Sequence, residues 1–275
     1  MGSGVKSAAW VGFVLAFAFP AVAERLPAAA DRNGDGEVVI ACLGDSNTSS
    51  VWQQARPKGF SEEFGWCEQL VARIDDPRVR SINVGAGGAT IGPSQLGGDL
   101  LEQVFFEGQQ QLDLALFLES VDVVLMAFGT NDVVANTGSS PEDIVAHYNR
   151  LWRRARAYGM LALVATTPPV YENPKTGEVP RSRDAIAETN QLLRETFAPR
   201  YRLDFDADMP AEDYLDGLHM SAAGQATRAD EARRAISALA RVVGPPVGVR
   251  ALRFQAGHWR RKTPDDHSRT FAVGD

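Results

Sequence analysis

Val38-Val39-Ile40-Ala41-Cys42-Leu43-Gly44-Asp45-Ser46-Asn47-Thr48 is the stretch from which the fold can be read. A β-branched, apolar run stops abruptly at Gly-Asp-Ser-Asn. The run is apolar at every position rather than at alternate ones. It therefore reads as a strand of a parallel sheet, covered on both faces. Gly44 punctuates the run and allows the backbone to turn. Ser46 then falls just past the carboxyl end of a strand, the edge at which open α/β sheets bind ligands. The competing reading gives Asp45 or Ser46 only a helix cap to make, since both types are favoured there.

The same pattern recurs along the chain. Val79-Arg80-Ser81-Ile82-Asn83-Val84 reads as a second short strand, followed by Gly85-Ala86-Gly87-Gly88-Ala89-Thr90. This glycine-rich turn lacks the G-x-G-x-x-G spacing of a dinucleotide site, and its other use is to present bare backbone N–H groups. Val121 to Phe128 is a clear third strand running straight into Gly129-Thr130-Asn131-Asp132. Asn131 is another polar residue at a strand's carboxyl end, where a turn or cap is the plain alternative. Met160 to Ala165 reads as a fourth strand and Arg202 to Phe205 as a short fifth.

Helical periodicity fills the intervals. It covers Gly65 to Ile74, and then a region from Pro93 to Ser120 that breaks near Gly108. Ser140-Pro141-Glu142-Asp143 opens a helix with a capping Ser and a first-turn Pro, and Gly159 ends it after Tyr158. His147 lies on that helix and reads as a surface or packing residue. Arg183 to Phe197 forms the next helix. Ser221 caps the last, which runs to about Val243 and stops at Gly244-Pro245-Pro246. Strands alternating with helices imply a parallel sheet with helices on both faces. Right-handed crossovers then bring Ser46, Gly88, Asn131 and the Asp216–His219 segment to one edge.

The chain has 275 residues, 44% of them hydrophobic, and a formal net charge of −7. That suits one large α/β domain of about 200–250 residues. The acidic balance argues against a nucleic-acid partner, whose footprint is a basic face. Lys6, the apolar run from Ser7 to Pro20, and Ala21-Val22-Ala23 read as a signal peptide over 1–23, cleaved after Ala23. The run is shorter than the roughly 20 residues of a membrane span, so no stable membrane insertion is expected after cleavage. The mature protein is expected to be periplasmic or secreted.

Residues 24–36 form a polar leader. Within it, Asp31-Arg32-Asn33-Gly34-Asp35-Gly36 begins like a calcium loop. The twelfth position of that template needs a Glu and here holds Cys42, so the segment reads as a turn. Residues 37–244 are expected to form the α/β domain, and 245–275 a loosely packed or disordered C-terminal tail. Ser49 to Phe64 is long for a strand-to-helix connection, and Trp52 and Phe60 suggest a pocket wall. Two cysteines are too few for a disulfide framework. Cys42 falls in a buried strand and Cys67 in an amphipathic helix, so they are expected to be inert core thiols, with pairing left open.

Taken together, the motifs resemble the SGNH, or GDSL, hydrolases over roughly residues 37–243. Gly44-Asp45-Ser46 matches the serine block and Asn83-Val84-Gly85-Ala86-Gly87-Gly88-Ala89-Thr90 the glycine block. Gly129-Thr130-Asn131-Asp132 matches the asparagine block and Asp216-Gly217-Leu218-His219 the D-x-x-H block. The fold this resemblance implies is a three-layer α/β/α, flavodoxin-like parallel sheet of about five strands. It implies Ser46, Asp216 and His219 as catalytic residues. It implies the Ser46 N–H, the Gly88 N–H and the Asn131 amide as an oxyanion hole, with Gly85 or Gly87 as alternatives to Gly88.

The chemistry accounts for these residue types. A Ser hydroxyl needs a neighbouring base, and imidazole titrates near neutral pH. An Asp holds the imidazole tautomer, and amide donors stabilise the tetrahedral oxyanion. The G-x-S-x-G elbow of the larger α/β-hydrolases is missing. No metal or cofactor is expected. The reading is a secreted serine esterase acting on short acyl chains of a small-molecule or polysaccharide ester, an acetyl-sugar or an aryl ester. The alternatives are an O-acyltransferase of the same mechanism and a non-catalytic carbohydrate-binding protein with a relic site.

Overall fold

Val38–Gly44 forms strand β1, and all seven of its residues are buried. The computed structural model describes residues 25–49, 65–93, 107–134, 139–207 and 209–244. Strands β2 (Val79–Asn83), β3 (Val123–Ala127), β4 (Leu161–Ala165) and β5 (Arg202–Leu203) complete a single sheet in the order β2-β1-β3-β4-β5. Every pairing is parallel. This is the flavodoxin-like order anticipated from the motifs. Its strand order reverses between β1 and β3, and that switch point is where such sheets open a ligand crevice.

The residues of β1 divide between two cores, as the pleat requires. Val39, Ala41 and Leu43 pack with helices α2 (Gly108–Leu118), α3 (Pro141–Ala157) and α4 (Arg183–Thr196). Val38, Ile40 and Cys42 pack with α1 (Trp66–Ala72) and α5 (Ala222–Val243). Three layers result. Each fully buried aliphatic side chain contributes roughly 1.5–3 kcal/mol. The continuous apolar runs of β1, β3 and β4 are the signature of that two-sided burial.

Two expectations need correction. Cys42 and Cys67 are not thiols but a disulfide that joins β1 to α1 across 25 residues. Cys42 faces the α1 layer and Cys67 faces back, which sets their Cα atoms 6.2 Å apart, within bridging range. The break expected near Gly108 coincides with the start of α2 at that residue, and residues 94–106 lie outside the described residues. Glu107 caps α2, and its side chain and that of Gln110 satisfy each other's backbone N–H groups. Gly44 is required for space rather than for turning. A Cβ there would overlap the Thr48 side chain and the Ala127 carbonyl.

The other elements follow the sequence to within a few residues. Ser140 and Ser221 cap α3 and α5 as expected. The Asp31 to Gly36 segment is a turn: Asp31 accepts from the N–H groups of Gly34 and Gly36, at 2.6 and 3.0 Å. His147 packs its ring against Gly92. The signal segment, Trp52, Phe60 and the tail lie outside the described residues. Among the described residues, no helix is long and apolar enough to cross a membrane.

Candidate active site

Beyond β1 the chain makes one tight turn, with the Thr48 and Ser49 N–H groups returning to the Asp45 carbonyl at 3.0 and 2.8 Å. Asp45 is buried, and its carboxylate accepts from the Asn47 N–H at 2.9 Å. Ser46 sits at the crest of this turn. Its N–H has no partner among the described residues. The end of β1 is held by a side chain: Gln111 of α2 accepts from the Gly44 N–H at 2.8 Å and donates to its carbonyl at 2.9 Å.

His219 reaches Ser46 from the far end of the chain. Residues 213–221 fold back on themselves, the Leu215 N–H meeting the His219 carbonyl at 2.8 Å and the Ser221 N–H meeting that of Asp213 at 2.7 Å. Gly217 adopts φ +80°, where a Cβ would strike the Tyr171 carbonyl. The turn delivers both groups of the D-x-x-H block. Asp216 Oδ2 lies 2.8 Å from His219 Nδ1, and His219 Nε2 lies 3.1 Å from Ser46 Oγ. Asp216 Oδ1 also accepts from the N–H groups of Leu218 and His219, at 3.0 and 2.7 Å. Burial alone would push the Asp216 carboxyl up, but the His219 side-chain and backbone hydrogen bonds outweigh it and hold it well below the usual range. Asp216 is therefore ionised at neutral pH, which places the imidazole proton on Nδ1 and turns Nε2 to the serine.

Asn131 follows β3, at the other side of the switch point. Its side chain is almost wholly buried. Nδ2 donates to the Ala89 carbonyl at 3.0 Å, which ties it to the glycine turn after β2. One amide hydrogen is thus fixed, and the second has no partner among the described residues. Oδ1 accepts from Arg181 Nη2 at 3.2 Å. In the glycine turn, the Gly85 N–H is taken by Asn83 Oδ1 at 3.1 Å. Gly87 and Gly88 keep backbone donors without a partner among the described residues. Gly88 adopts φ +79° and is exposed, a conformation that side-chain-bearing residues resist.

Three contributors escaped the sequence reading: Asn47, Gln111 and Arg181. Asn47 donates to the Leu218 carbonyl at 3.2 Å and accepts from the Met220 N–H at 3.1 Å. These partners lie 67, 171, 173 and 50 positions away in the chain, so no local pattern announces them.

Asp132, next to Asn131, is a buried carboxyl that accepts from the Ile91 and Gly129 N–H groups at 2.9 and 3.1 Å. Burial and the nearby Asp45 charge push it up to about 7. Burial pushes Asp45 up to about 6.

The sequence profile of the GDSL-like Lipase/Acylhydrolase family matches residues 42–227, from β1 into α5. The chain belongs to this family. As a GDSL-like acylhydrolase it is a carboxylic ester hydrolase. No curated protein sequence matches it significantly. The fold is shared with solved esterases at low identity. Est24, a carbohydrate acetylesterase from Sinorhizobium meliloti, is 21% identical with a TM-score of 0.55, over 75% of this chain and 98% of that one. The native M. smegmatis aryl esterase is 21% identical with a TM-score of 0.56, over 75% and 98%. Both resemble this GDSL-like chain in fold.

Proposed function

We propose that this protein is an exported serine esterase that removes short acyl groups from sugar or aryl esters through an acyl-enzyme on Ser46. The Asp216–His219–Ser46 relay carries the reading. Ser46 Oγ attacks the ester carbonyl and gives its proton to His219 Nε2. The new oxyanion is met by the Ser46 N–H, the Gly88 N–H and the Asn131 amide. Collapse expels the alcohol, which takes the proton back from His219. Water, deprotonated by the same imidazole, then releases the acid and free Ser46. Asp216 stays ionised throughout and stabilises the imidazolium.

Support for export comes from the signal-like residues 1–23 and from the Cys42–Cys67 disulfide, a bond that persists in oxidising compartments. Support for the substrate class comes from the names of the two solved neighbours, a carbohydrate acetylesterase and an aryl esterase. A p-nitrophenyl ester series from acetate to octanoate tests the reading. The expected result is the highest kcat/KM on acetate, with no turnover in Ser46→Ala or His219→Ala and phosphonate labelling at Ser46. Full activity in Ser46→Ala overturns it.

A further inference from the structure

Arg181 is the last residue before the cap of α4, at the end of the long connection from β4. Nothing local calls for a cation there. Its guanidinium nevertheless reaches across to the end of β3. Nε donates to the Thr130 carbonyl at 2.9 Å, and Nη2 donates to Asn131 Oδ1 at 3.2 Å. Nη1 donates to the Pro180 carbonyl at 2.8 Å, which anchors the group to its own loop. The side chain is partly buried, and burial lowers its pKa while the Asp45 charge opposes that.

A primary amide can be turned over with little change in shape, exchanging its oxygen and nitrogen. Only one orientation serves an oxyanion hole, because the nitrogen must face the developing charge. Asn131 is fixed at both ends: Nδ2 by the Ala89 carbonyl and Oδ1 by Arg181. The Arg181 cation can only donate, so it rejects the flipped amide outright. The carbonyl of Ala89 can only accept, so it rejects the same flip from the other side. A donor to Oδ1 also polarises the amide and strengthens its N–H groups as donors.

We propose that Arg181 is a positioning residue for the oxyanion hole, acting through Asn131 to hold its amide nitrogen toward the substrate oxyanion. This rests on the assignment of Asn131 to that hole. Three features separate it from a mere tether of the loop to β3. The contact falls on the side chain that receives the charge, the fork engages both Thr130 and Asn131, and a guanidinium near a nascent anion adds a favourable field.

The test is steady-state kinetics on p-nitrophenyl acetate with Arg181→Met, Arg181→Lys, Asn131→Ala and the Arg181→Met/Asn131→Ala pair, alongside Ser46→Ala. Loss of the donor itself lowers kcat by about 10²–10³-fold, so its positioning partner should cost about 10-fold or more, with KM within about twofold of wild type. Arg181→Lys keeps the charge but not the fork and should recover part of the loss. In the Asn131→Ala background, Arg181→Met should cost almost nothing further, because the two act as a unit. Unchanged kcat in Arg181→Met overturns the proposal, as does a loss that multiplies with that of Asn131→Ala. If Arg181→Met does not fold, the same criteria are read from Arg181→Leu, alone and paired with Asn131→Ala. Full activity in Ser46→Ala would overturn the site as a whole. Inactive Ser46→Ala with unaffected Arg181 variants would overturn the Arg181 role alone.

Discussion

Asn47 grips the main chain on both sides of His219, accepting from the Met220 N–H and donating to the Leu218 carbonyl. It is the residue next to Ser46, so Ser46 and His219 are registered by one side chain rather than through the width of the sheet. Its own carbonyl accepts from Gln225 of α5, whose Oε1 in turn accepts from the Trp66 N–H at 2.9 Å.

Asn47→Ala should therefore damage catalysis as well as stability. Leaving the Met220 N–H and Leu218 carbonyl unpaired costs about 1–3 kcal/mol. A displacement of His219 by an ångström costs up to about 10²-fold in rate. Thermal melting and kcat per folded molecule, measured together, separate the two. A variant that melts earlier but turns over normally would show that the grip is structural only.

Asn131→Ala should lower kcat by about 10²–10³-fold and leave KM nearly unchanged, because in the proposed mechanism the lost donor faces a charge present only in the transition state. Ser46 should still react, slowly, with a phosphonate. Normal turnover in the folded variant would return Asn131 to the role of a turn residue.

Reduction of Cys42–Cys67, or the Cys42→Ala/Cys67→Ala pair, should lower unfolding free energy by about 2–4 kcal/mol, as expected for a loop of this length. Denaturant melts with and without reductant measure it. Identical midpoints would mean that the packing of α1 on β1 suffices without the bond.

Stability should rise on acidification from about pH 8 to about pH 5. Burial pushes Asp45 and Asp122 up to about 6 and Asp132 up to about 7. In the unfolded chain such carboxyls titrate near 3.9. The folded state thus binds more protons across this window. The contribution is full below the unfolded value and is lost as pH rises through the folded ones. Asp216 behaves oppositely, since its pKa is lowered, and its contribution is lost only in stronger acid. Melting temperature against pH should fall toward neutrality, and Asp132→Asn should flatten the slope. A wild-type profile flat from about pH 5 to 8 would contradict the buried-carboxyl account.

The sheet was legible because β1, β3 and β4 are apolar on both faces and end at polar, chemically distinctive residues. Asp216 and His219 were legible as a pair because one turn supplies both. Gln111, Asn47 and Arg181 were not, because each acts on a partner that only the tertiary fold brings near. The same is true of Cys42 and Cys67: the sequence placed both in the core but not on facing surfaces.

The Cys42–Cys67 bond closes a covalent ring that contains Ser46. A protease that cuts once between Leu43 and Trp66 would open the backbone without separating the fragments. The nucleophile would stay bonded to the rest of the enzyme through whichever side of the ring remained whole. A nick in this segment would be a survivable injury rather than a dissociation.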